Sequence, residues 1–211
     1  MARPAAADRV PYDLDSLTSV AFKLFRTHGY HETSVGQIAE AAGITKSSIY
    51  YHVRSKEELL EHGLERALSR LAGVFEEPGA NEGTYAERVA YFLRRGVQVE
   101  VELIDEVTVL LRLRGASPVE RKALDRRREI DRRLMSLVQL AQGAGEIRDD
   151  MASSLITRLL FSMTNWMVEW YRPNGALTSD DVAAAIVAVA FEGLTSTGQP
   201  VETGSSPGRR S

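Results

Sequence analysis

Cysteine is absent from all 211 residues, which excludes a disulfide scaffold, a thiolate metal site and a cysteine nucleophile, and leaves no redox compartment to be read. No apolar run approaches the roughly 20 residues of a membrane span. Residues 1–10 also lack the apolar stretch of about 7 residues that a signal peptide carries, so the expected location is the cytoplasm, with no membrane partner. An excess of one charge is missing too. The 26 Lys+Arg stand against 29 Asp+Glu, a net of -3, so a nucleic-acid partner would have to be argued from local pattern. Strand signals are sparse: the one alternating stretch, Val97 to Leu103, lies between helical residues with no hairpin turn beside it. What is present is 44% apolar content, enough for one large or two small packed domains.

Val, Ile, Leu and Ala recur at helical spacing, and the chain reads as all-α. Helix starts are marked by Ser or Thr followed three residues later by Glu or Gln, a pairing whose side chains can satisfy each other's orphan N–H groups. Such pairs stand at Ser34/Gln37, Ser55/Glu58, Thr84/Glu87 and Ser117/Glu120, the last with Pro118 at the first helical position. They predict about nine helices, at 14–28, 34–41, 45–51, 55–74, 84–104, 105–114, 118–143, 150–171 and 179–194. Residues 76–83 form a breaker-rich loop. The expected division is a flexible arm over 1–12, a first domain over 13–54, a second over 55–195 and a disordered tail over 196–211.

In the first helix Leu17, Val20, Ala21, Leu24 and Phe25 share one face, and Gly29 can take the left-handed cap that stops it. A short second helix buries Val35, Ile38, Ala39 and Ala42 and ends at Gly43-Ile44, before Thr45 opens a third. Two short helices joined around a Gly form a helix-turn-helix, the device that sets a helix into the major groove. On the third helix Thr45, Lys46, Ser47, Ser48, Tyr50, Tyr51 and His52 surround a single inward Ile49. Lys, Ser and Thr suit base edges, while Tyr and His donors suit phosphate oxygens. The alternative is a plain soluble face with Tyr51 or His52 packed on the first helix. Residues 1–60 carry seven Lys+Arg and seven Asp+Glu, so phosphate contacts would depend on hydroxyls, backbone N–H groups at the second and third helix starts, and few cations. All four histidines (His28, His31, His52 and His62) lie here without acidic partners at metal-ligand spacing, and no metal or other cofactor is expected.

Five segments together resemble the DNA-binding signature of the tetracycline-repressor (TetR) family. They are Ala21-Phe22-x-Leu24-Phe25-x-x-x-Gly29-Tyr30, Thr33-Ser34-Val35, Ala41-Ala42-Gly43-Ile44, Tyr50-Tyr51-His52 and Ser55-Lys56-Glu57-Glu58-Leu59. The resemblance implies that Lys46, Ser47, Ser48 and Tyr50 approach base edges. It implies that Thr33, Ser34, Thr45, Tyr51, His52 and Lys56 hold phosphates. Val53 stands where many members have Phe. The family further implies a helical C-terminal domain that dimerises and encloses an effector pocket, and a double-stranded operator as partner.

The second domain supports this independently. The stretch 150–171 is apolar nearly all round, with Leu155, Leu159, Ser162, Trp166 and Trp170 on one stripe and Ile156, Leu160, Met163 and Met167 on another. The last helix is rich in small residues, and these two are expected to pair with their symmetry mates as a four-helix dimer interface. Phe161, Met163, Asn165, Trp166, Met167 and Trp170 are pocket candidates, with plain core as the alternative. Trp166-x-x-x-Trp170-Tyr171-Arg172-Pro173-x-Gly175-x-Leu177 is similar to a signature among TetR-type repressors of fatty-acid, phenylacetate and steroid-ring catabolism, several of which respond to acyl-CoA thioesters. Pro173 and Gly175 serve equally as a helix-ending turn. An acyl-CoA would need cations for its phosphates. Arg94 and Arg128 are the candidates, among arginines whose interleaved acids also fit a solvated ion-paired face.

The leading expectation is a homodimeric, ligand-responsive repressor, not an enzyme, released from a palindromic operator by a small effector. Helix four, through Leu64, Leu68 and Leu71, would carry the coupling. The competing classes are a repressor sensing another hydrophobic molecule, a helical adaptor that no longer binds DNA, and a helical-bundle enzyme. The last is opposed by the lack of a Glu-x-x-His pair, a His-Glu-x-x-His motif, a Gly-rich phosphate loop and a nucleophile motif.

Overall fold

The computed structural model describes residues 13–194; the expected N-terminal arm and the expected tail lie outside them. Within that span the chain is all helix. The order is α1 (Leu14–His28), α2 (Val35–Ala41), α3 (Lys46–His52), α4 (Lys56–Gly73), α5 (Tyr85–Glu102), α6 (Ile104–Arg112), α7 (Pro118–Gly143), α8 (Ser153–Asn165), α9 (Met167–Trp170) and α10 (Ser179–Glu192). Two 3-10 turns, Val74–Glu76 and Pro78–Ala80, fill the loop after α4. The alternating residues from Val97 lie at the end of α5, with Val97, Val99 and Glu100 buried.

Local chemistry explains most of the boundaries. Ser34/Gln37 and Thr84/Glu87 form reciprocal capping boxes, and so do Asp13/Ser16 and Thr178/Asp181, where a Ser or Asp replaces the Glu or Gln of the sequence rule. The other two predicted boxes close only halfway. Ser55 and Ser117 accept from the Glu58 and Glu120 N–H groups, but Glu58 Oε2 takes the Arg54 N–H at 2.7 Å instead of that of Ser55. Glu120 Oε2 gathers the N–H groups of Gly115 and Ala116 at 2.9 Å and of Arg114 at 3.3 Å. One buried carboxylate therefore holds the whole α6–α7 turn, because three converging donors outweigh one.

The expected helix over 150–171 begins at Ser153 and breaks at Trp166, leaving the single turn α9. Tyr171 then turns extended (φ -64°, ψ 139°), shortly before Pro173, whose ring disfavours helix in the residue preceding it.

Helices α1 to α3 form a small head. Phe22 and Phe25 meet edge-to-face at 5.3 Å, and Phe25 meets Tyr30 at 5.1 Å, over Ile38, Ile49 and Val53. Gly29 (φ 91°) stops α1 and Gly43 (φ 66°) makes the α2–α3 turn, a backbone region that β-carbons disfavour. The head's core is continuous with that of the body, where α7 packs on α4, α5 and α8. A second core of Val97, Ile104, Val107, Met167, Val168, Tyr171, Val182, Ala183 and Ile186 joins α5, α6, α9 and α10.

Candidate nucleic-acid interface and effector cavity

Helix α3 buries one residue, Ile49, and Val53 behind it. Because a helix turns about 100° per residue, Lys46 and Tyr50 share a face and Ser47 stands beside them, all exposed. Thr45 caps the helix, accepting from Ser48 N–H at 3.2 Å, and its hydroxyl lies 2.9 Å from Ser47 Oγ and 2.8 Å from Ser48 Oγ. Tyr51 is 90% exposed and meets only the edge of His52, at 5.9 Å. His52 is exposed as well. An aromatic ring held out in water on a well-formed helix is a surface that waits for a partner.

Two of the six residues assigned to phosphates are placed elsewhere. Thr33 is 1% exposed and its hydroxyl donates to the Gly29 carbonyl at 2.8 Å. Lys56 Nζ donates to the carbonyls of Tyr30 (2.6 Å), Thr33 (2.7 Å) and His31 (3.4 Å) and lies 4.3 Å from the Tyr30 ring centre. Partial burial pushes its pKa down. The reason is local: the turn after α1 leaves carbonyls pointing at the start of α4, and an ammonium with three donors satisfies them. Ser34, Thr45, Tyr51 and His52 remain on the exposed side.

The head is tied to the body through charge. Arg26 pairs with Asp105 at 2.9 Å, Arg112 donates to the Arg26 carbonyl at 2.9 Å, and Arg66 joins α4 to Glu106 of α6 and Asp15 of α1. His62 is 2.8 Å from Asp15, and His31 is 3.9 Å from Glu120. Among the described residues, no three His, Asp or Glu side chains gather as a metal site.

The body holds an inner cavity of about 30 Å³ between α4, α5, α6, α7 and α8. Its wall is apolar (Leu68, Leu71, Phe92, Leu93, Leu110 and Phe161 among others), with Glu100, Arg127, Asp131, Thr164 and Asn165 as its polar groups. Arg127, Asp131, Phe161 and Asn165 also line an adjoining outer cleft of about 360 Å³ with Arg132, Arg158, Ser154 and Ser162. The inner space as it stands admits one water-sized molecule, so a larger occupant must part those four shared residues.

Of the sequence-predicted pocket residues, the structure brings Phe161 and Asn165 to this cavity. Met167 is instead fully buried in the second core. Trp166 and Trp170 are 68% and 46% exposed, because the break at Trp166 turns them away from the bundle. Met163 lines a separate groove of about 630 Å³ between α8 and α10. Arg94 is exposed and lines neither space, and Arg128 pairs with Asp125 on the outer face of α7. Most of the other arginines are similarly paired: Arg126 with Glu65, Arg133 with Glu76, Arg95 with Glu77 and Arg112 with Glu169.

Glu100, Asp131 and Thr164 were missed, whereas Arg127 belongs to the arginine-rich helix already weighed for phosphate binding. The signal for Glu100 was available, since it falls four residues after Gly96 and seven after Leu93, on the inward face of α5. Burial pushes its pKa up to about 8 against the pull of Thr164 and Arg127, and burial also raises that of Asp131.

Residues 17–62 match the family described as bacterial regulatory proteins of the tetR family, and residues 82–194 match a tetracyclin repressor-like C-terminal domain. The chain is similar to SCO3833 of Streptomyces coelicolor A3, a TetR-family regulator (43% identity, TM-score 0.81, covering 90% of this chain and 94% of that one). It is 28% identical to the transcriptional repressor KstR2 of Mycobacterium tuberculosis, over 90% of this chain and 99% of the relative. Its fold is shared with AibR, solved in complex with isovaleryl coenzyme A and operator DNA (22% identity, TM-score 0.73, covering 84% and 97%). An exposed recognition-type helix, a hollowed helical body and these matches over both parts lead to one statement: the chain belongs to the TetR family of transcriptional regulators.

Proposed function

We propose that this regulator is a homodimeric repressor that grips a palindromic operator with α3 of each protomer and lets go when an effector enters the cavity. The observation that carries this is the double attachment of α4. Its first residue, Lys56, is bonded into the head at Tyr30 and Thr33, while Leu68 and Leu71, three to four turns on, line the cavity. An occupant that pushes on Leu68 and Leu71 moves the rod that holds the head. Arg26–Asp105 and Arg66–Glu106 add a second connection through α6. Two heads must sit about 34–36 Å apart, or a multiple of that, to dock together, so a small tilt reduces affinity.

Lys46, Ser47, Ser48 and Tyr50 are the base-reading group, with Ser34, Thr45, Tyr51 and His52 on the phosphates. The dimer face is the apolar surface left uncovered in one chain: Leu155, Leu159, Trp166, Val189 and Phe191, on or beside α8 and α10. The effector is an acyl-CoA thioester. Its acyl group would occupy the inner cavity and its phosphates the cleft, where Arg127 and Arg158 have no acid within ion-pair distance among the described residues and take the role first given to Arg94 and Arg128. The relatives support this class: KstR2 is a repressor, and AibR was solved with isovaleryl coenzyme A and operator DNA.

The test is operator binding by fluorescence anisotropy, with titration of an acyl-CoA series and the matching free acids. Release by thioesters alone is expected. Release by the free acids alone replaces the acyl-CoA with another hydrophobic effector, and no operator binding by a folded dimer favours an adaptor.

A further inference from the structure

Three buried side-chain polar atoms lack a partner among the described residues: Arg66 Nε, Arg88 Nε and Glu100 Oε2. The first two belong to guanidinium groups engaged elsewhere, Arg66 with Glu106 and Ser19, and Arg88 against the Tyr85 ring. Glu100 is different. It is 3% exposed and borders the inner cavity. A buried carboxyl oxygen without a partner is uncommon because desolvation is then uncompensated.

One turn before it lies Gly96, also buried, and a β-carbon added there would meet nothing within 4 Å. Gly96 and Glu100 both line the inner cavity, one turn apart on α5. The wall around it is aliphatic and aromatic, apart from Arg127, Asp131, Thr164 and Asn165.

Resting on the reading of this cavity as the effector site, we propose that Glu100 reads a carbonyl oxygen on an otherwise apolar ligand group, its carboxyl donating the hydrogen bond. The chemistry follows from burial. The carboxyl is predominantly neutral at pH 7, and a neutral carboxyl has one O–H to give. Oε2 is the oxygen without a partner, and the Thr164 hydroxyl on the same wall donates to the Phe161 carbonyl at 3.3 Å. A carbonyl oxygen can come from a thioester or from a ring ketone, and the donor treats both alike.

The test uses probes differing only in that oxygen: octanoyl-CoA against its S-octyl thioether, and cyclohexanone against cyclohexane. Binding to the full-length protein is measured by calorimetry and thermal shift. The wild type should prefer at least one carbonyl member by about 10-fold or more. Glu100→Met should erase that preference while keeping the fold by circular dichroism, and Glu100→Gln, which retains a donor, should preserve most of it. Preference within the CoA pair alone identifies a thioester oxygen, and within the ring pair alone a ketone. Gly96→Leu should abolish binding of both members of the preferred pair by filling the space. Equal binding of each pair, an unchanged preference in Glu100→Met, equal losses in Glu100→Gln and Glu100→Met, or binding that survives Gly96→Leu overturns the inference and leaves an effector site standing. If none of the four probes binds, both the inference and the acyl-CoA reading fall.

Discussion

The head and the body of this chain spend their side chains in opposite ways. In the head, Phe22, Ile38 and Ile49 are completely buried and the distinctive residues, Lys46, Ser47, Tyr50 and Tyr51, project outward. In the body, the distinctive features turn inward: a buried carboxyl oxygen without a partner, a buried glycine with room above it, and a small cavity joined to a larger cleft. A partner as regular and as charged as duplex DNA can be met by a rigid surface of donors. A small apolar molecule has to be surrounded, and that requires an interior not packed to completion.

The largest expected effect tests whether the two regions are one cooperative unit. Phe22 lies so close to Gly63 of α4 that a β-carbon there would sit 2.1 Å from its ring. Phe22→Ala should cost about 3–5 kcal/mol in denaturant unfolding, as other large-to-small core changes do. The loss should appear as one shifted transition; two separate transitions would mean that the head melts alone.

A second measurement separates surface from core. Tyr50 is half exposed, so Tyr50→Ala should weaken operator binding by about 10- to 100-fold at fixed salt with an unchanged melting temperature. A drop in melting temperature of several degrees would return Tyr50 to the core and break the contrast.

The third follows from the buried acid. In the folded chain Glu100 keeps its proton up to about pH 8, whereas the unfolded chain releases it near the ordinary 4.5. The unfolded state then binds fewer protons over that window, so stability falls as pH rises from about 4.5 to about 8 and the decline ends above it. Urea unfolding from pH 5 to 9 should show this slope in the wild type and a shallower one in Glu100→Gln. Identical slopes would place the carboxyl in water.

The smallest effect is at Gly96. Its neighbourhood is open and its φ is negative, so Gly96→Ala should stabilise by about 0.5–1 kcal/mol through lower unfolded-state entropy. Destabilisation would mean that the space above it is already filled.

The same contrast governed what could be read from the chain. Head residues announced themselves because their signals are local: Gly29 and Gly43 at the turns, Ser34 and Thr45 at the caps, and a single Ile49 amid polar neighbours. Lys56 and Thr33 misled because their partners are carbonyls of a turn that residue type does not reveal. In the body, Trp166 and Met167 are consecutive residues on one apparent helix, yet one is 68% exposed and the other fully buried. Only the break between α8 and α9 separates them.

Helical periodicity, side-chain caps and glycine turns depend on residues within about four positions of each other, and the amino-acid sequence alone determined them: an all-α chain, its helix starts, and a helix-turn-helix with outward donors. The tertiary structure decided which faces of α5, α7 and α8 meet, and so placed Glu100, Arg127, Asn165 and Phe161 around one space while excluding both tryptophans. That choice depends on packing between residues up to 65 positions apart in the chain, Glu100 to Asn165, and no local pattern carries it.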